Sequence, residues 1–221
     1  MMDDQNNRSG RITALETQAR HNDRVNVSLD GEFAFGLNAS IVLEQRLYVG
    51  QELSAEDVLA LRQSEEVAAA TQSAIRLVAH QARTESELRK RLTRNGFSAP
   101  SIDAAIARMH EWNYLDDQDF ARRWVESREG HRPRSASMIK RELVGKGIDA
   151  ETAGQVVDEA EIDEYKIALD LGLKWAARPA REDPEARRRR LAAYLQRRGF
   201  GWDIVRRVLA ASLADSPEEP E

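Results

Sequence analysis

Three glycines, Gly96, Gly147 and Gly199, each close a copy of one pattern along this 221-residue chain. Residues 87–97, 138–148 and 190–200 align without gaps. Leu88, Ile139 and Leu191 share one column, and Leu92, Leu143 and Leu195 share another four residues on. Phe97, Ile148 and Phe200 follow the glycines; farther down, Ile102, Ala153 and Val205 coincide, then Ile106, Val157 and Leu209. Apolar residues at i and i+4 make one stripe on a helix. A glycine ends it because the C′ position favours a left-handed backbone that glycine adopts without steric penalty. A second helix then supplies its own stripe. One such unit buries too little surface to stand alone, so neighbours must stack.

Local signals fill in the unit. Thr84 with Glu87 reads as a capping box, and Asp149 as the cap of the second helix in the second copy. A third helix joins each copy to the next. One begins after Asp116, Asp117 and Asp119 and carries Phe120, Ala121, Trp124 and Val125; the other runs over 161–176 with Tyr165, Leu169 and Leu173. Breaks fall at Arg132-Pro133-Arg134 and from Pro179 to Pro184. The expected fold is mainly all-α: tandem three-helix repeats forming an elongated, curved array. The repeats are placed at 63–130, 131–178 and 179–214, with an acidic, disordered tail over 215–221.

Residues 1–62 form a different region. Val25, Val27 and Leu29 alternate, Asp30-Gly31 follows, and Phe33 and Phe35 come next, which is a β-hairpin pattern. Ile12, Ala14 and Leu15 can supply a third strand. Ile41-Val42-Leu43 opens a short helix, and 48–53 read as a tight connection. Ser54 with Asp57 caps one helix, and a long helix is expected over Glu65 to Ala82.

Composition limits the chemistry. The chain has no cysteine, so disulfides, thiol catalysis and cysteine-bound metals are excluded. Residues 1–11 are polar rather than signal-like, and no apolar run approaches the roughly 20 residues of a membrane span. A cytoplasmic monomer without cofactor is expected, with no membrane partner. Net charge is −5, but the acid lies at the two ends, and 71–214 are mildly basic.

No side-chain set suggests catalysis. His21, His80, His110 and His131 are scattered, and Asp116, Asp117 and Asp119 read as helix caps rather than metal ligands. The arginines carry more information. Arg187, Arg190, Tyr194, Arg197 and Arg198 form an arc beside the stripe of Leu191 and Leu195. Arginine suits forked contacts to carboxylate and phosphate. Arg91 and Arg94 repeat the arc weakly in the first copy; Arg122, Arg123, Lys140 and Arg141 extend the basic surface, with Arg128, Arg132 and Arg134 beside them. These are the candidate partner-binding residues. Residues 151–164, with six acids and no base, read as a solubilising stretch.

The run from Ser86-Glu87-Leu88 to Gly96-Phe97, followed by Tyr114-Leu115-Asp116-Asp117, Phe120-Ala121 and Trp124-Val125, resembles the first repeat of the RecX family. Arg141-Glu142-Leu143 with Lys146-Gly147-Ile148 resembles its second, and Tyr194-Leu195 with Arg197-Arg198-Gly199-Phe200 its third. Asn26 to Phe35 resembles the N-terminal extension of its longer members. Two features depart from that pattern: Arg134-Ser135 in place of a glycine-bearing lead-in, and the acidic tail. The resemblance implies a regulator that binds the RecA filament on DNA, lies in its helical groove and damps strand exchange, ATP hydrolysis and the SOS response. DNA, single- or double-stranded, would be met weakly or through the filament. The alternative is a helix-turn-helix-like protein acting on DNA directly.

Overall fold

The computed structural model describes residues 8–18, 21–178 and 183–213, with the backbone alone at His21 and Asn22. The 215–221 tail and Pro179 to Glu182 of the second break lie outside the described residues. The chain divides into two compact units, one of residues 1–82 and 88–115, the other of 83–87 and 116–221.

The first unit opens with a four-stranded antiparallel sheet. Its strands are β1 (Gly10–Gln18), β2 (His21–Leu29), β3 (Glu32–Asn38) and β4 (Glu52–Leu53), in the order β3-β2-β1-β4. The expected hairpin is β2–β3. Asp30 (φ 50) and Gly31 (φ 88) both take the left-handed backbone that a two-residue turn requires. β1 is the third strand. β4 pairs only Leu53 with Gly10 and Glu52 with Arg11, where the sequence suggests a plain connection; two residues are too short for an alternating pattern to register. Ile12, Val27, Leu29, Phe35 and Leu37 point to one face and pack with Ile41 of α1 (Ala39–Glu44).

The helices expected after Ser54 and from Glu65 are a single one, α2 (Ala55–His80). No glycine or proline interrupts 55–80, so nothing ends the helix midway. Ser54 and Asp57 form the full capping box. The first half of α2 sends Val58 and Leu61 into the sheet core. Its second half packs Ala74, Ile75 and Val78 on Leu88, Leu92, Ile102 and Ile106, from α3 (Glu85–Arg94) and α4 (Ala99–Glu111). Ser98, the N-cap of α4, does not cap with its own side chain. Glu66 of α2 instead holds this helix start, accepting from Ser98 N (2.7 Å), Ser98 Oγ (2.7 Å) and Ser101 Oγ (2.8 Å). Burial pushes the Glu66 carboxyl up, but these hydrogen bonds outweigh it and hold it below the ordinary value.

The second unit contains α5 (Asp117–Gly130), α6 (Ala136–Gly145), α7 (Ala150–Glu159), α8 (Glu164–Ala176), α9 (Pro184–Gln196) and α10 (Trp202–Leu213). It has two cores. Ala121 and Val125 of α5 pack with Ile139, Leu143, Ile148, Ala153 and Val157. Ala168 of α8 packs with Leu191, Leu195, Phe200, Val205 and Leu209. Placed after each helix pair on the sequence, the joining helix in fact shares the core of the pair that follows. The physical reason is that its apolar stripe finds its partners downstream. On α8 the buried face is Ala168 and Gly172, while Leu173 is 47% exposed rather than part of the stripe. A Cβ at Gly172 would lie 2.5 Å from Val208 and 2.7 Å from Ser212 Oγ, so glycine lets α10 cross close to α8. Gly96, Gly147 and Gly199 have φ of 89, 91 and 93. Among the described residues no helix is long and apolar enough to cross a membrane.

Candidate partner-binding surface

The third repeat holds the densest group of candidate residues. Asp183 caps α9 by accepting from Ala186 N (3.0 Å), and Leu191, Ala192 and Leu195 anchor the helix in the core. That anchoring leaves Arg188, Arg189, Arg190 and Arg197 exposed, together with Arg206 and Arg207 on α10. Arg198 lies over the Tyr194 ring at 3.9 Å, and Arg207 over Tyr165 at 3.8 Å. Such stacking fixes the plane of a guanidinium while its forked N–H edge stays available.

Arg187 has an internal role. Its guanidinium donates to Ala176 O and to Arg178 O (2.9 Å), and sits 5.6 Å from the Trp175 ring. It therefore satisfies the last carbonyls of α8, where a cation meets the negative end of the helix dipole. Sequence periodicity put Arg187 on the arc but could not show the α8 terminus beside it. The same charge run contains Arg188, Arg189 and Arg206, which lie outside the predicted arc and are exposed.

The remaining candidates are distributed as follows. Lys140 and Arg141 are exposed on α6. A Cβ at Gly154 would lie 2.7 Å from Lys140 Nζ, so the lysine stem lies across α7. Arg122 is exposed, and Arg123 pairs with Asp119 one turn back. Arg91 and Arg94 are exposed in the last turn of α3, in the first unit.

Two arginines expected beside this surface turn inward. Glu142 pairs with Arg128 (2.7 Å) and Arg134 (2.7 Å), and accepts from Trp124 Nε1 (3.0 Å). Arg128 stacks on the Trp124 ring at 4.2 Å, and Lys146 lies 4.4 Å from the same ring while pairing with Glu87 (2.8 Å). Phe120 and Trp124 stack with centroids 6.0 Å apart.

The acids are largely helix caps. Asp116 accepts from Asp119 N (2.8 Å) and Asp117 from Glu85 N (3.0 Å). In the acidic stretch, Asp163 accepts from Lys166 N (3.0 Å) and Glu164 from Ala136 N (2.7 Å). Just before that stretch, hydrogen bonds from Thr152 and from the Glu151 amide hold the Asp149 carboxyl below its ordinary value. Trp112 and Trp202 are about half exposed, at 48% and 52%.

Four family models of one protein match the chain. They are the Regulatory protein RecX N-terminal domain (residues 10–54) and the first (70–109), second (116–157) and third (161–209) three-helix domains of RecX. Proteins named Regulatory protein RecX are similar along nearly the whole length. The one from Leuconostoc mesenteroides is 27% identical, over 96% of this chain and 79% of its own. That of Bacillus subtilis is 26% identical over 95% and 80%, and that of Clostridioides difficile 28% over 90% and 94%. A crystal structure of regulatory protein RecX shares the fold with a TM-score of 0.74 at 22% identity, covering 91% of this chain and 98% of that one. RecX from Lactobacillus salivarius gives 0.59 at 19% identity, over 67% and 97%.

Proposed function

The chain belongs to the RecX family, and from that premise we propose that this regulatory protein binds the RecA filament on DNA and inhibits or modulates its recombinase, ATPase and SOS co-protease activities. The observation that carries the reading is the third repeat's exposed arginines, Arg188, Arg189, Arg190, Arg197 and Arg206, on helices whose apolar faces are already buried. With its packing complete, that surface is available for an anionic partner. A protein–DNA filament offers both carboxylates and phosphates, the two groups that guanidinium forks fit.

The test is RecA's DNA-dependent ATP hydrolysis at micromolar amounts of this protein. The parent chain slows hydrolysis, and Arg190→Glu combined with Arg197→Glu weakens the inhibition by at least about tenfold while helicity stays normal. Unchanged inhibition by the double variant would return the α9 arginines to the status of a solvated face. A parent chain that does not inhibit would sink the reading. Tight binding to bare DNA with a steep salt dependence would favour direct action on DNA.

A further inference from the structure

The starts of α3 and α6 are seated in the same way. Thr84, fully buried, caps α3 at Glu87 N (3.2 Å) and donates its hydroxyl to Lys146 O (2.7 Å). The first helical amide, of Glu85, donates to the Asp117 carboxylate (3.0 Å). Ser135, fully buried as well, caps α6 at Met138 N (3.2 Å), and its own amide donates to Arg198 O (3.0 Å). The first helical amide there, of Ala136, donates to Glu164 (2.7 Å). Each helix start therefore rests in a socket of two parts: the carbonyl before a glycine turn, and a carboxylate on a leading helix. The turn must be glycine for a second reason besides its positive φ. A Cβ at Gly147 would overlap the Ser86 side chain, and one at Gly199 would overlap Ser135 Oγ and lie 2.9 Å from Met138 Cβ.

The first glycine turn has the same backbone and no occupant. Nothing lies within 4 Å of a Cβ built at Gly96. Asn95 O, equivalent to the carbonyls of Lys146 and Arg198, accepts no hydrogen bond among the described residues. The leading helix α2 offers Glu65, which takes Asn38 N (2.5 Å) from the start of α1 and pairs with Arg24 (2.8 Å). So the acid half of this socket is filled from the sheet domain, and the glycine half is open. A cavity of about 410 Å³ lies there, with Arg24, Glu65, Ala69, Asn95 and Phe97 in its wall.

We propose that the Gly96 turn is an open socket for the Ser- or Thr-capped start of a helix in a partner protein. The occupant's chemistry follows from the two filled sockets: a Ser or Thr cap residue that donates to the turn's carbonyl through its hydroxyl, as Thr84 does, or through its amide, as Ser135 does. In a second copy of this chain, the helix start that corresponds to those of α3 and α6 does not meet that requirement. That helix, α9, starts at Pro184, which has no N–H, and carries Arg187 where α3 has Thr84 and α6 has Ser135.

The experiment uses the full chain, isotope-labelled, and an end-blocked peptide of its own residues 83–94 as the probe. It needs no filament, so its outcome is independent of the RecA reading. The peptide is expected to shift the amides of residues 95–97 in a saturable way. The same peptide with Thr84→Ala, or the full chain with Gly96→Asn, should bind at least about tenfold more weakly. Asparagine tolerates the left-handed backbone, so Gly96→Asn should melt with the parent, whereas Gly147→Asn, in a filled socket, should melt lower. Unmoved amides at 95–97 with millimolar peptide would overturn the proposal. So would parent-like peptide binding by a Gly96→Asn chain that melts normally.

Discussion

Where the second repeat has Glu142, the third has Tyr194, and their cations are arranged accordingly. In the second repeat the carboxylate gathers Arg128, Arg134 and the Trp124 indole N–H into the protein. In the third, an aromatic ring stands at that position, Arg198 lies on its face, and Arg188, Arg189, Arg190 and Arg197 are exposed on α9. Trp124 of α5 and Trp175 of α8 each carry a stacked arginine, at 4.2 and 5.6 Å. One column of the repeat thus separates a charge network that holds the fold from a charged surface turned to the outside.

Three experiments can break or sharpen that contrast. The largest effect is expected from Glu142→Ala. It strands two arginines whose side chains are only 19% and 32% exposed, and should cost about 3 kcal/mol in a urea titration. A loss no larger than that of a surface substitution would mean the network is not what binds α5 to α6. Arg187→Ala comes next. Freeing the last carbonyls of α8 should cost about 1 kcal/mol, with smaller loss of filament inhibition than the α9 double variant; equal losses in inhibition would restore Arg187 to the partner surface. The smallest effect concerns pH. The Asp149 carboxyl is held below its ordinary value of 3.8 by hydrogen bonds from Thr152 and the Glu151 amide. The folded state therefore binds that proton less readily than the unfolded chain. The stabilisation is complete above the ordinary value and fades as pH falls through the lowered one. The third repeat opens α10 at Gly201, which has no side chain to titrate. Amides in the first turn of α7 should thus lose protection on acidification before those of α10.

The helices and their glycine ends were legible because they follow from local spacing: an apolar pair four apart, then a residue with no Cβ. The hairpin was legible for a similar reason, through Asp30-Gly31. What escaped depends on residues distant in sequence. Arg128 and Arg134 look like any solvated arginines until Glu142 is beside them. Thr84 and Ser135 each read as an ordinary cap, and nothing local marks the carbonyl of Lys146 or Arg198 as a second partner. Arg187 belongs to the arc that the periodicity of α9 predicts, yet it faces the end of α8, a neighbour that no helix wheel contains. The extra length of α2 was readable in principle, since 55–80 contain neither glycine nor proline, but the change of buried face midway imitates two helices.

That helix has a practical consequence for dissecting the protein. At 1.5 Å per residue α2 is a rod of roughly 39 Å, with one end embedded in the sheet core and the other in the first repeat. No hinge exists along it at which a protease could separate the two, and a truncation inside it would leave apolar residues uncovered on the remaining half. Sheet and first repeat should consequently exchange their slowest amide hydrogens together, as one cooperative block.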